Sequence, residues 1–197
     1  MDHLPAFVQR LPITAAALDF AERAHAGQTR DADGAAFIEH PLEVAILLHE
    51  SGAPDDVVAA GVLHDTLEKS DAAASDMRPR FGDRITDLVL AVTEDDRISD
   101  FATRKSALLE QVARSGDEAL MVFAADKVSK VRELRLGALH SRAGGGRSYA
   151  RYLAHYRDCL RMLEARMPSS RLVSTLRSEL ETSRGARLGE SAASVWV

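Results

Sequence analysis

Apolar residues recur at helical spacing along most of the chain. Between residues 17 and 24, alanine and phenylalanine follow the spacing of one buried face of an amphipathic helix. Pro41 suits the first turn of a second helix, and Gly52 suits its end. The same periodicity predicts further helices over residues 55–68, 83–93, 101–114, 117–139, 148–166 and 170–182. Strand-like alternation is nearly absent, so the pattern predicts an all-α fold.

The length of the chain allows one hydrophobic core. It has 197 residues, of which 46% are hydrophobic, so a single domain is expected. After Pro168 the composition becomes rich in Ser, Arg and Glu. We therefore expect a globular domain over residues 1–167, followed over residues 168–197 by a peripheral helix and a mobile tail.

The dipeptide His64-Asp65 ends an otherwise apolar run at residues 57–63. Burying an imidazole and a carboxylate together is costly unless something binds them, and a divalent metal ion would do so. His40 and Asp126 lie in similarly apolar stretches. The four side chains are therefore candidate metal ligands from three segments. Taken singly, His40 could instead cap a helix, and Asp126 could pair with a neighbouring basic residue.

Six short blocks in a fixed order carry a resemblance to a known family. They lie at residues 21–28, 37–41, 63–68, 81–82, 92–96 and 125–127. Together they resemble the HD-domain phosphohydrolases. The likeness is closest to the hydrolase domain of RelA/SpoT proteins and to the small stand-alone alarmone hydrolases of the metazoan SpoT-homologue type. The resemblance implies an all-α HD-domain helical bundle with a central metal site, held by His40, His64, Asp65 and Asp126.

The expected chemistry is metal-assisted hydrolysis. Imidazole and carboxylate ligands suit Mn²⁺, Fe²⁺ or Zn²⁺, and in the resembled family the metal is usually Mn²⁺. Such an ion can activate water for attack on phosphorus. On one continuous helix, Glu68 lies about 40° around the axis from His64, and Asp65 lies about 100° away on the same side. Glu68 is then placed to accept the proton of water or to orient the water, and the resemblance assigns it that kind of role, with Asp65 as a second catalytic residue.

The resemblance also implies a substrate. It is guanosine tetra- or pentaphosphate, the alarmone of the stringent response, from which the family releases pyrophosphate at the ribose 3′ position. Arg30, Arg104 and Lys105 lie in segments where the family carries basic residues that approach the nucleotide. Each of them could instead be an ordinary basic residue on the surface.

Two lysines depart from the family pattern close to the predicted ligands. Lys69 stands where the alarmone hydrolases carry Asp, and Lys130 stands where they carry Asn. In one interpretation the lysines bind phosphates in a working alarmone hydrolase. In a second, the altered pocket selects another phosphorylated nucleotide or metabolite. In a third, the lysines pair with Asp65 and Asp126, and the domain is a regulatory binding module.

Charge and hydropathy argue against other classes of protein. The net charge is −5 with acidic and basic residues interspersed, so no nucleic-acid partner is expected. No stretch approaches the ~18 apolar residues of a membrane span, and the N-terminus lacks an apolar signal segment. We therefore expect a cytoplasmic protein whose partner is a small phosphorylated nucleotide. Cys159 is the only cysteine, which excludes an intrachain disulfide and a thiolate metal cluster. The sequence predicts no particular oligomeric state.

Overall fold

The fold was analysed in a computed structural model that describes the backbone of residues 5–140 and 146–193, with side chains over residues 5–137 and 148–183. A short 3-10 helix spans Val8–Arg10. The α-helices of these described ranges are α1 (Pro12–Ala24), α2 (Glu39–Glu50), α3 (Asp55–Leu63), α4 (Thr66–Lys69), α5 (Ala74–Val92), α6 (Phe101–Ala113), α7 (Asp117–His140), α8 (Gly146–Arg166) and α9 (Arg171–Ala193).

The all-α prediction is confirmed. Within the described ranges, the β-type pairing is limited to an isolated bridge between Thr29 and Ala36, in the loop between α1 and α2. None of the helices described is both long enough and apolar enough to cross a membrane.

Helix α3 is the centre of the fold. Its residues from Val57 to Leu63 are all buried, because α1, α2, α5 and α7 pack around it. Gly61 allows α2 to approach closely, since a Cβ atom there would lie 2.3 Å from Leu48 Cδ1 and 3.2 Å from Val44 Cγ1. This close packing of α2 on α3 helps to bring their candidate ligands together.

Helix α7 forms a second wall of the site. It contacts α2, α3, α5, α6, α8 and α9. Residues 119, 120 and 122–125 are all buried, which is the burial expected of a helix that is apolar on every side. Asp126 follows directly, so its carboxylate lies at a buried position opposite α2 and α3.

The predicted helix over residues 55–68 is interrupted at the His64-Asp65 dipeptide. Helix α3 ends at Leu63, and α4 begins at Thr66. The Nδ1 atom of His64 lies 2.7 Å from the carbonyl oxygen of Gly61, which in a continuous helix would accept from the N–H of Asp65. The prediction of one continuous helix was therefore wrong, and the helical-angle argument for Glu68 does not apply.

Helix α5 begins at Ala74, well before the predicted start at residue 83. The two parts of this helix meet at Gly82, where φ is 78° and ψ is 172°. This left-handed backbone conformation suits glycine. The first part was missed because Arg78, Pro79 and Arg80 interrupt the apolar pattern.

Helix α9 packs against α7 and α8. Leu172, Val173, Leu176 and Leu180 are buried in the same core as the preceding helices. The domain boundary expected after residue 167 stays a prediction, although these contacts join α9 to the central core. Of the expected mobile tail, residues 194–197 lie outside the described part of the chain.

Candidate metal centre and active site

The four predicted ligands converge on one buried point. His40 lies in the first turn of α2, His64 and Asp65 lie in the break between α3 and α4, and Asp126 lies within α7. The two Nε2 atoms of His40 and His64 are 3.1 Å apart. Asp126 Oδ1 lies 3.3 Å and 3.4 Å from these two nitrogens. Asp65 Oδ2 lies 3.6 Å from His40 Nε2, and Asp65 Oδ1 lies 3.4 Å from His64 Nε2.

These spacings fit one divalent metal ion. Ligand atoms that each lie ~2.0–2.2 Å from a common ion are ~3 Å apart when they are neighbours in its coordination shell. One ligand atom from each of His40, His64 and Asp65 can be chosen so that all three lie within 4.8 Å of one another. The distances between the candidate ligand atoms are therefore close to, or slightly longer than, those expected around one bound ion.

Hydrogen bonds fix which nitrogen of each imidazole carries the proton. His64 Nδ1 faces the Gly61 carbonyl, which can only accept, so Nδ1 donates. The Ser129 hydroxyl donates to a Glu43 carboxylate oxygen at 2.6 Å, and so it accepts from His40 Nδ1 at 2.9 Å. When the imidazoles are neutral, both Nε2 atoms therefore direct their lone pairs into the cluster.

This arrangement needs a cation. Two imidazole lone pairs and the carboxylate oxygens repel one another at these distances unless a positive charge lies among them. Asp126 Oδ1 is buried and has no hydrogen-bond partner among the described residues. A proton on one imidazole or a divalent ion would meet the need. Burial lowers the pKa of His64, but the negative charges of Asp65 and Asp126 outweigh the effect of burial. The pKa of His64 is therefore raised above its ordinary value, which favours a positive charge at this point.

Two lysines compensate the charges of the two aspartates. Lys127 Nζ lies 2.5 Å from Asp126 Oδ2, and Lys130 Nζ lies 3.5 Å from Asp65 Oδ2. Burial raises the pKa of Asp126, but Lys127 and the two imidazoles hold it well below its ordinary value. Burial also raises the pKa of Asp65, and His64 and Lys130 outweigh that effect. Both carboxylates are therefore ionised and can act as metal ligands.

Sequence reasoning missed the residues that support His40. Besides Ser129 and Glu43, Glu133 places Oε1 at 2.9 Å from His40 Nδ1. Among the described residues Glu133 Oε1 has no hydrogen-bond partner, because the Nδ1–H of His40 is donated to Ser129, so Glu133 acts on His40 through its nearby negative charge. A sequence signal existed, because Glu43 follows His40 by three residues and Glu133 follows Asp126 by seven, both helical spacings.

Glu68 lies at the edge of the cluster, near Asp65. Its Oε1 accepts a hydrogen bond of 2.5 Å from the backbone N–H of Glu94. Partial burial raises the pKa of Glu68, and the carboxylates of Asp65 and Glu94 raise it further against the effect of that hydrogen bond. A carboxyl of raised pKa beside a metal site is suited to proton transfer. Glu68 also lines a pocket of about 270 Å³, together with Leu67, Glu94, Asp96 and Arg104.

Three basic residues predicted to contact substrate are bound to carboxylates within the protein. Arg30 pairs with Asp33 at 2.5 Å. Arg104 pairs with Glu94 at 2.8 Å, and Lys105 binds the other oxygen of the same carboxylate. A phosphate group would have to replace these partners, so contact of these three residues with substrate stays a prediction.

Lys69 and Lys130 meet at Phe37. Each ammonium lies 5.6 Å from the centroid of this ring, within cation–π range. One interpretation of the sequence paired the two lysines with Asp65 and Asp126, and the structure shows different pairs. Lys130, rather than Lys69, contacts Asp65 because α7 lies across from the α3–α4 break, and the partner of Asp126 is its neighbour Lys127.

The chain matches the HD domain family over residues 17–143, and it belongs to that family. It is similar to human guanosine-3′,5′-bis(diphosphate) 3′-pyrophosphohydrolase MESH1, with 40% identity over 121 residues, which are 60% of this chain and 67% of the human protein. The resemblance seen in the sequence blocks is confirmed.

Two solved structures are also similar. One is described as a metazoan orthologue of SpoT that hydrolyses ppGpp and plays a role in starvation responses. It has a TM-score of 0.75 and 24% identity, covering 88% of this chain and 96% of the other. The second is lmo0812 from Listeria monocytogenes EGD-e, with a TM-score of 0.66 and 27% identity, covering 75% of this chain and 96% of the other. Hydrolases of the HD-domain family are metal-dependent, in agreement with the ligand cluster found here.

Proposed function

We propose that this chain is a metal-dependent hydrolase that removes the 3′ pyrophosphate from guanosine tetra- or pentaphosphate. The convergence of two imidazole lone pairs and two ionised carboxylates on one buried point carries this proposal. The similarity to human MESH1, whose name states that activity, supports the substrate.

The proposed ligands of the ion are His40, His64, Asp65 and Asp126, and the proposed ion is Mn²⁺. Two nitrogen and two oxygen donors suit divalent metals of this kind, and the unpartnered Oδ1 of Asp126 agrees with a cation among them. When bound, the ion supplies Lewis-acid polarisation of the reacting phosphate and water.

Glu68 is the proposed general base. In the reaction, a water oxygen forms a bond to the phosphorus atom attached to the ribose 3′ oxygen, and the bond from that phosphorus to the 3′ oxygen breaks. The products are pyrophosphate and GDP or GTP. Glu68 accepts the proton that the water loses, which its raised pKa favours, and the departing 3′ oxygen takes up a proton from solvent to become the 3′ hydroxyl of the product. Asp65 contributes its negative charge beside the reacting water as well as its ligand oxygen.

Lys69 and Lys130 are the proposed phosphate-binding cations. Their ammonium groups share the ring of Phe37 beside the ligand cluster and would lie near a polyphosphate bound there. Arg30 and Lys105 would join them if phosphates replaced their carboxylate partners. The proposed substrate is a free nucleotide, so the proposed compartment is the cytoplasm and neither nucleic acid nor membrane is a proposed partner.

One contact favours a second candidate function. Lys130 is already bound to the candidate ligand Asp65, at 3.5 Å, where the resembled family has a neutral asparagine. This change would alter the nucleotide pocket, so the alternative is hydrolysis of another phosphorylated nucleotide or metabolite. A domain in which the lysines weaken metal binding, and which acts as a regulatory module, is the further alternative.

The experiment is a product screen on purified protein that is first stripped of metal and then reconstituted with Mn²⁺. Guanosine tetraphosphate is compared with a panel of other phosphorylated nucleotides, and both phosphate and pyrophosphate are measured. We expect equal amounts of pyrophosphate and GDP from guanosine tetraphosphate, and none from an Asp126→Asn variant.

Other results would contradict the proposal. Release of product from a different nucleotide alone would support the altered-substrate alternative. Inactivity of the wild type on the whole panel, with activity gained by a Lys69→Asp, Lys130→Asn double variant, would support the regulatory module.

A further inference from the structure

The segment between α5 and α6 is held closely against the proposed general base. Its residue Glu94 donates its backbone N–H to Glu68. At the same time, the Glu94 side chain accepts from Arg104 Nε at 2.8 Å and from Lys105 on α6. The backbone and side chain of a single residue thus connect the first turns of α6 to the reacting carboxylate.

Arg104 makes further contacts within the same segment. Its Nη1 donates to the carbonyl oxygen of Ile98 at 2.7 Å and to that of Ser99 at 3.3 Å. Arg104 therefore binds the segment near both of its ends, at Glu94 and at residues 98–99. A planar guanidinium can hold several acceptors in a fixed geometry, which an ammonium cannot do.

Arg104 is bound within the protein, whereas a residue that binds substrate would be expected to have free donors facing solvent. The Arg104 side chain is only 25% exposed, and its donors are directed to three acceptors of the segment. Its partner Glu94 is only 12% exposed and also binds Lys105. Binding of a phosphate by Arg104 would release Glu94 and remove the support of its N–H.

We propose that Arg104 is a positioning residue of this active site, which acts through Glu94 to fix the N–H that orients the Glu68 carboxylate. This inference rests on the proposed role of Glu68 as general base. Orientation matters because a displacement of about 1 Å at a reacting group can cost up to ~10²-fold in rate. Arg104 touches neither the reacting phosphorus nor the metal ligands in this scheme.

The test compares Arg104→Ala with Arg97→Ala. Arg97 lies in the same segment and pairs with Asp95, but its side chain is 86% exposed and the described contacts do not join it to Glu94 or Glu68. We expect Arg104→Ala to lower kcat for pyrophosphate release roughly 10- to 100-fold with little change in KM. Arg97→Ala should keep both constants, and Arg104→Lys should recover only part of the loss.

A second readout does not depend on turnover. The titration of the Glu68 carboxyl carbon is followed by NMR in metal-free protein, and its signal is assigned by its loss in Glu68→Gln. A hydrogen bond to the ionised carboxylate favours ionisation, so Arg104→Ala should move the titration to higher pH. The other charged groups near Glu68 are Asp65, Glu94, Lys127 and, across the pocket, Asp96. Arg97→Ala also removes one positive charge from the segment, so the Glu68 titration in that variant shows how much of any shift comes from the loss of charge alone.

The outcomes separate this inference from the proposed function. Absence of pyrophosphate release from wild type would contradict the proposed function, and the NMR titration would still test the role of Arg104. A raised KM with unchanged kcat and an unchanged Glu68 titration in Arg104→Ala would make Arg104 a substrate contact and overturn the inference. Equal shifts in Arg104→Ala and Arg97→Ala would also overturn it.

Discussion

The replacement of Lys130 by asparagine should strengthen metal binding. In the structure the Lys130 ammonium lies 3.5 Å from Asp65 Oδ2, an oxygen that we assign to the metal. A divalent ion at the cluster must share this carboxylate with the ammonium and is also repelled by it. Asparagine removes the positive charge, and it is the residue of the resembled family at this position.

The size of the effect follows from the distance. Two unit charges 3.5 Å apart attract by ~5 kcal/mol at an effective dielectric constant of ~20. The Lys130 side chain is 20% exposed, so solvent screening and side-chain entropy leave only part of that value. We expect a net gain of about 1.4–2.8 kcal/mol in metal binding, which corresponds to a Kd for Mn²⁺ that is ~10- to 100-fold lower.

The assay is competition between the protein and a chromophoric chelator for Mn²⁺, at fixed pH and ionic strength. Lys130→Arg is the matched control, since it keeps the charge and should bind Mn²⁺ about as wild type does. Thermal unfolding gives a second measure, because bound metal should raise the Tm of Lys130→Asn more than that of wild type. A Kd for Lys130→Asn equal to or weaker than that of wild type would refute the reasoning.

Three further predictions concern other buried ionisable residues. Glu68→Gln should lower turnover about 10²- to 10⁴-fold while elemental analysis finds unchanged Mn²⁺ content; loss of the metal would instead make Glu68 a ligand. Lys127→Met should lower the free energy of unfolding of the metal-free protein by ~3–5 kcal/mol in urea, because the buried Asp126 carboxylate loses its partner, whereas Lys127→Arg should lower it much less. Burial lowers the pKa of His155 to about 4, so between that pH and ~6.5 the unfolded chain binds a proton that the native protein excludes. The contribution of His155 to the free energy of unfolding is therefore complete above pH ~6.5, and it falls by roughly 2 kcal/mol from pH 7.5 to pH 5. His155→Leu should flatten this part of the pH dependence of stability. An unchanged slope in the variant would contradict the prediction.

The candidate ligands could be identified from the sequence because buried charges are conspicuous in apolar surroundings, and the family resemblance implied that they hold one metal ion. His64, Asp65 and Asp126 each end or interrupt a run of small apolar residues, where an unbound charge would be costly. The helical periodicity was likewise sufficient to predict the all-α architecture. The identification of each ligand and of each helix depends on residues near one another in sequence.

The remaining features depend on contacts between distant segments. The break before α4 arises where the His64 side chain donates a hydrogen bond to the backbone carbonyl of Gly61. The periodicity of the sequence gives no indication of this break. The pairing of Lys130 with Asp65 requires α7 to lie across from the α3–α4 break. The contact of Glu94 with Glu68 joins residues 26 positions apart and uses a backbone N–H, which leaves no side-chain signature in the sequence.

The most direct test of the central claim measures bound metal and turnover on the same samples. Wild type, His64→Ala and Asp126→Asn are stripped of metal, titrated with Mn²⁺, and assayed for pyrophosphate release from guanosine tetraphosphate at each point. The account predicts one ion per wild-type chain, activity that rises in parallel with occupancy, and loss of both in the two variants. A wild type that holds well under one ion per chain at saturation, or a His64→Ala variant that keeps full occupancy, would contradict it.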